Sequence, residues 1–127
     1  MIFRNTEHEN KYRQFFSQMK SRDEYRQMVA YLLSLDTVLA DHAEDVFNFS
    51  EDCIIPESAL KHGWQTGTSR KTTRLLLNLW NGWCDDEGEG EERSTPSEYT
   101  PYNIFSCEYG SYYFEAIKIL FGVLYVG

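Results

Sequence analysis

Three things are missing from this sequence, and each excludes a class of protein. No apolar run is long enough to cross a bilayer: the longest, Ile119 to Val126, is broken by Gly122, whereas a spanning helix needs roughly 20 apolar residues. Paired cysteines are missing too. Cys53, Cys84 and Cys107 form no CxxC unit, and an odd count reads as reduced thiols rather than a disulfide framework. The first residues, Met1 to Glu9, are polar and charged and lack the apolar stretch of a secretory signal. The expectation is a soluble, cytoplasmic protein without a membrane partner.

Charge of one sign is missing by segment. Residues 36–59 hold seven acids and no lysine or arginine, while 60–83 hold four bases and no acid. Residues 84–127 return to nine acids against two bases. One cationic segment, Lys61 to Arg74, therefore sits inside a chain of net charge −8 and pI near 4.8. Such a field disfavours non-specific binding to nucleic acid and favours a basic protein partner. With 42 % hydrophobic and 16 % aromatic residues, the chain has the material for one core and large rings left for a surface.

Hydrophobic periodicity predicts an all-α, compact single domain over residues 1–127, with five to six helices and a long acidic loop. Tyr12, Phe15, Phe16 and Met19 recur at helical spacing within Glu7 to Met19. Ser21 followed by Glu24 has the form of a capping box for a second helix, with Tyr25, Met28, Val29, Leu32 and Leu35 on its apolar face. Asp36 or Thr37 caps a third helix running to Phe47, and one unbroken helix over 22–47 is the alternative. Phe49 to Pro56 reads as a crossing loop, and Glu57 to His62 as one helical turn. Thr68 or Ser69 opens the next helix through Trp83, with Leu76, Leu79, Trp80 and Trp83 inward and Arg70, Arg74, Asn78 and Asn81 outward. Residues 85–97, rich in acids and glycine, are expected to form a mobile loop. Thr100 before Pro101 is a cap and first-turn pair. Ser111 opens the last helix, which turns Tyr113, Phe114, Ile117 and Leu120 inward.

Two segments are candidates for binding. In Gly63-Trp64-Gln65-Thr66-Gly67-Thr68-Ser69-Arg70-Lys71-Thr72-Thr73-Arg74, glycines, hydroxyls and cations run into a helix start, which offers N–H groups to an anion. Trp64, Thr68, Ser69, Arg70, Lys71 and Arg74 are its anion-binding candidates. It is not a P-loop, because position 70 is Arg where that motif needs Gly before Lys, and the plainer reading is a well-capped helix with internally paired cations. The second candidate is a partner-binding acidic block, Asp85, Asp86, Glu87, Glu89, Glu91 and Glu92, joined by Tyr99 and Tyr102; a solvated loop is its plainer reading. Tyr109, Tyr112, Tyr113, Phe105 and Phe114 extend the aromatic cluster, divided between interface and core.

Metal and covalent chemistry have weaker support. The acidic block lacks the ligand order of an EF-hand, and His8, His42 and His62 form no zinc motif. The cysteines read as small buried hydrophobes, and Asp41, Glu44, Asp45, Glu51 and Asp52 as a wet helix face rather than a hydrolytic metal site. No cofactor is expected. An exposed tail over 121–126 would favour a homodimer.

The stretches Asp45-Val46-Phe47-Asn48-Phe49-Ser50-Glu51-Asp52-Cys53-Ile54-Ile55-Pro56, Gly63 to Arg70 and Glu115-Ala116-Ile117-Lys118 resemble an uncharacterised family of small acidic proteins carried by mobile elements of Gram-positive bacteria. The resemblance spans most of residues 7 to 118 and is most specific over 63–70. It brings no catalytic residue with it. It implies a setting in which accessory proteins act against host defence or regulate transfer. The leading expectation is a non-enzymatic inhibitor of the anti-CRISPR or anti-restriction kind, whose acidic surface occupies the basic groove of a nuclease. The alternatives are a nucleic-acid or phosphate-ligand binder using 61–74, and a metal-dependent hydrolase.

Overall fold

Eight successive residues without a charged side chain, 28–35, lie at the centre of the molecule. The computed structural model describes residues 1–86 and 96–125. Its helices are α1 (Thr6–Gln18), α2 (Glu24–Leu35), α3 (Thr37–Asp41), α4 (Gly67–Asn81), α5 (Pro101–Phe105) and α6 (Gly110–Tyr125). Every residue from Met28 to Leu35 is buried. A helix that is apolar on all sides has to be covered on all sides, and α1, α3, α4 and α6 pack around α2. Buried residues of all six helices join one core, from Tyr12 in α1 to Tyr113 and Ala116 in α6. The expected all-α domain is therefore present, but α2 is central rather than amphipathic. Tyr25, expected on its inner face, is exposed.

Cap chemistry sets the helix ends. The carboxylate of Asp23, not Ser21, accepts from the backbone N–H of Arg26 and opens α2. Asp36 ends α2 and opens α3: its Oδ1 accepts from the N–H groups of Val38 at 2.8 Å and Leu39 at 3.2 Å. That excludes one continuous helix over 22–47. The third helix is also shorter than its apolar pattern suggested, ending at Asp41 before a 3-10 turn over Ala43–Asp45. At the other end of the chain Thr100 caps α5 with Pro101 in its first turn, as expected. Helix α4 stops at Asn81 rather than Trp83 because Gly82 takes a left-handed φ of 81° and closes the last turn on Asn78.

The expected crossing loop is a small hairpin. Two-residue strands, β1 (Phe47–Asn48) and β2 (Cys53–Ile54), pair antiparallel with Phe47 opposite Ile54 and Asn48 opposite Cys53. Asn48 accepts from the N–H of Glu51, and Asp52 turns the chain at φ 60°. The same Asp52 is buried rather than part of a wet helix face. Its Oδ1 and Oδ2 accept from the N–H groups of Lys20 (3.0 Å) and Ser21 (2.9 Å), and Oδ2 lies 3.3 Å from Arg26 Nε. Arg26 also donates to the Asp52 carbonyl and lies over the Trp80 ring. One carboxylate thus ties the α1–α2 connection to the hairpin, through an arginine that reaches α4. Residues 56–60 form turns without a helix, and Pro96–Tyr99 forms a 3-10 turn before α5. Most of the expected loop over 85–97 lies outside the described residues.

Two further positions fix the packing. Gly110, which opens α6, approaches Phe105 so closely that a Cβ would overlap the Phe105 carbonyl oxygen. His8 is 1 % exposed and lies edge-on to Phe3 and Tyr31. Its Nε2 lies 3.1 Å from the Tyr31 carbonyl oxygen, and its Nδ1 accepts from Arg4 N–H at 3.0 Å. Only the neutral ring, with its proton on Nε2, suits both partners. Burial lowers its pKa from 6.5 to about 4, with the Tyr31 carbonyl opposing and Arg4 adding to the effect.

The His8 geometry predicts a pH-dependent loss of stability. The unfolded chain takes a proton on His8 below pH 6.5 while the folded chain refuses it until about 4, so stability falls as pH drops through that window. His8→Gln should remove this part of the slope when melting midpoints of variant and parent are compared across it. At Asp52, burial raises the carboxyl pKa, but the Lys20, Ser21 and Arg26 contacts outweigh it and the net shift is downward. Its contribution is present above the ordinary carboxylate value and lost as pH falls through the lowered one. Asp52→Ala strands two backbone donors and places a Cβ-bearing residue without a polar side chain at positive φ. It should cost about 3 kcal/mol in urea unfolding at neutral pH.

Candidate functional site

The basic segment enters α4 through a closed network of hydroxyls. Thr66, not Thr68 or Ser69, is the cap: Thr66 Oγ1 accepts from Ser69 N–H at 3.0 Å, and Thr66 N–H donates to Ser69 Oγ at 2.8 Å. Ser69 is fully buried, and its hydroxyl donates to Gln65 Oε1. Gln65 in turn donates to the Ala59 carbonyl and to Thr73 Oγ1. Ser69 is thereby committed to the fold, and Thr68 is half-buried in the first turn.

The cations of this segment separate into two groups. Lys71 Nζ donates to the Asn103 carbonyl at 2.5 Å and to Ser106 Oγ at 3.3 Å, so it closes the end of α5. Arg74, only 13 % exposed at its side chain, holds Asp86 through Nε at 3.1 Å and Nη2 at 2.8 Å and lies 3.5 Å from Glu98. Tyr99 donates its hydroxyl to the same Asp86 at 2.8 Å. Burial, and then the Asp86 carboxylate, push the Tyr99 phenol well above its ordinary value. Burial alone would lower the Arg74 pKa, but the Asp86 and Glu98 charges reverse this and raise it. Arg70 differs: it is half-buried, and among the described residues its guanidinium has no hydrogen bond or ion pair. Of the four cations in 61–74, Lys71 and Arg74 are engaged, while Lys61 is exposed and, like Arg70, has no side-chain partner among the described residues.

Trp64 is half-buried and engaged by two histidines. The imidazoles of His42 and His62 stack on it at 4.5 and 5.7 Å between centroids, inclined by 7° and 14°. Its Nε1 donates to Asp45 Oδ2 at 2.8 Å, and the Nδ1 atoms of both histidines lie 3.9 Å from that same oxygen. Two imidazoles already stack on the Trp64 ring, so the ring is engaged within the fold beside the start of α4. The signal for this stack is absent from sequence spacing, since residues 42, 45, 62 and 64 meet only through the hairpin between them.

The acidic candidates divide as well. Asp86 and Tyr99 are held in the Arg74 cluster, Asp85 is half-buried, and Tyr102 is 84 % exposed. Glu87, Glu89, Glu91 and Glu92 lie outside the described residues. Tyr109 and Tyr113 belong to the core, where Tyr113 and Thr72 hydroxyls meet at 2.6 Å. Phe114, expected inward, is 64 % exposed, and Glu115 beside it is buried in its place. A glutamate between Phe114 and Ala116 on an apolar helix was the available signal for that position, and periodicity alone passed over it. On the opposite rim, Asp41 and Glu44 are exposed and line a groove between α1 and α3 with Lys11, Gln14 and Gln18. Among the described residues, no group of three His, Cys, Asp or Glu side chains is placed to hold a metal ion, and no helix is long and apolar enough to cross a membrane.

The two arginines of α4 should part on substitution. Arg74→Ala leaves Asp86 without its bidentate partner in a mostly buried setting and should cost about 2 kcal/mol in urea unfolding. Arg70→Ala should stay within about 0.5 kcal/mol of the parent.

No curated protein and no solved structure matches the chain. A family match runs over residues 1–125, nearly the whole sequence, and its description carries no activity. The chain belongs to DUF6075, a family of unknown function.

Proposed function

We propose that this protein is a non-enzymatic binding factor that occupies a basic protein surface in competition with nucleic acid. In its finer form the proposal is an accessory protein of a mobile element that inhibits a host defence nuclease, of the anti-CRISPR or anti-restriction kind, in the cytoplasm of a Gram-positive host. The observation that carries it is the inward use of two of the four cations in the basic segment. Lys71 and Arg74 are spent on α5, Asp86 and Glu98, so a chain of net charge −8 presents few free cations against its exposed acids. Asp41, Glu44, Glu51, Glu57 and Glu108 are among those exposed. Carboxylates on a protein surface steer a basic partner and set the rate of encounter, while exposed rings such as Tyr102 supply short-range contact.

The same observation weighs against direct nucleic-acid binding at 61–74. That role calls on Lys71, Arg74 and the Trp64 ring, and all three are already engaged within the fold. The hydrolase alternative draws on Asp45 and Asp52, which already hold Trp64 and the Lys20–Ser21 backbone.

The proposal is tested by adding the protein to preformed nuclease–DNA complexes from bacterial defence systems. DNA release should be strong at about 0.05 M salt and fall steeply toward about 0.5 M, where the screening length shrinks below the reach of surface charges. Asp41→Lys with Glu44→Lys should weaken it further. Displacement that ignores both salt and charge reversal, or no displacement from any such complex, overturns the proposal.

A further inference from the structure

Helix α6 carries a carboxylate where its own packing has no use for one. Tyr113, Ala116 and Leu120 face the core, and Glu115, next to this stripe, is only 8 % exposed. Its carboxylate oxygens are not among the enclosed polar atoms, and among the described residues Glu115 takes part in no hydrogen bond or ion pair. Its charge is felt at Tyr31, but the Tyr31 hydroxyl donates elsewhere, to the Ile2 carbonyl at 2.6 Å. The glutamate instead lines a groove of about 390 Å³ with Ile2, Ser111, Tyr112, Phe114 and Lys118. That volume lies within the range of small-ligand sites, roughly 300–1,000 Å³.

The lining names the chemistry of its occupant. Ile2 and Phe114 are 62 % and 64 % exposed and form apolar walls. Such a site suits an organic cation with an apolar stem. Among protein side chains, arginine answers best: its planar guanidinium pairs bidentately with a carboxylate, lies favourably over an aromatic ring, and carries a methylene stem for the isoleucine wall. Lys118, exposed at the rim, makes no ion pair with Glu115 three residues away, so the carboxylate remains open to an incoming cation.

We propose that the groove between α6 and Ile2 receives one arginine side chain of the protein's basic partner, with Glu115 as the anionic group that holds it. This rests on the binding role argued above and names a contact within it.

The test uses the full chain, labelled with ¹⁵N, and two small probes: N-acetyl-arginine amide and its neutral isostere N-acetyl-citrulline amide. Arginine should produce saturable amide shifts confined to Ile2 and 111–118, with a dissociation constant on the order of millimolar for so small a ligand. Citrulline should produce none. Glu115→Gln should melt no lower than the parent, because no partner is lost, and should bind arginine at least about tenfold more weakly. Lys118→Ala should bind it a few-fold more tightly, by removing the like charge at the rim. Equal response to citrulline, shifts spread over Asp41 and Glu44, or unchanged binding by Glu115→Gln would overturn the inference. So would concentration-dependent shifts at these residues without any probe, which would assign the groove to a second copy of the chain. The outcomes separate the two proposals. Salt-dependent DNA displacement that is indifferent to Glu115→Gln, with no arginine shifts, removes the groove alone. Arginine binding without displacement from any nuclease removes the broader function.

Discussion

Because Met28 to Leu35 have no side turned to water, α1, α3, α4 and α6 are placed by the need to cover them. Burying an aliphatic side chain contributes on the order of 1.5–3 kcal/mol, and α2 supplies Met28, Val29, Leu32, Leu33 and Leu35 from little more than two turns. The surrounding elements then solve a packing problem around a fixed cylinder. Helix α1 lays Tyr12 and Phe15 into the common core, α4 lays Leu76 and Leu77, and α6 lays Tyr113 and Ala116. The hairpin holds the approach to α2 in place through Asp52 and Arg26, where backbone donors leaving α1 would otherwise lack partners.

Among the described residues, several carboxylates of the acidic segments are drawn into internal contacts. Asp86 closes on Arg74 across the boundary between an acidic and a basic segment, Asp45 holds Trp64, and Asp52 holds Arg26. Asp36 is spent on capping α3, at some cost: burial raises its carboxyl pKa, and the Leu39 and Val38 N–H groups offset this only in part. Two of these contacts, Arg74 with Asp86 and Arg26 with Asp52, take up cations that are fewer than the acids to begin with. Net charge therefore describes the exterior better than the local composition of any one segment does.

Much of the fold was legible where its cause is local. Asp36 and Thr100–Pro101 were readable as caps because a cap needs only its own turn, and the helical spacing of Tyr12, Phe15 and Met19 placed α1 within a residue of its ends. The start of α2 was misplaced because Ser21 and Asp23 both carry cap chemistry, and the choice fell to Asp23 while the N–H of Ser21 went to Asp52. The hairpin escaped notice since two-residue strands are too short to show alternation. The site was less legible for a different reason. Which cations are engaged is decided by residues far apart in sequence, 12 positions for Arg74 with Asp86 and 32 for Lys71 with Asn103. The all-round burial of α2 also had an unused signal, its uninterrupted charge-free run.

The corner at Gly110 has a consequence for the whole distal half of the molecule. With no room for even a methyl group against the Phe105 carbonyl, the α5–α6 junction behaves like a gauge block whose tolerance is a single hydrogen atom. Any larger residue there would wedge the corner and swing the sixteen-residue lever of α6. A small angular error at its base grows along its length, so the alignment of Tyr113 with Thr72 and of the far turns with α2 is inherited from the one residue that has no side chain to misplace.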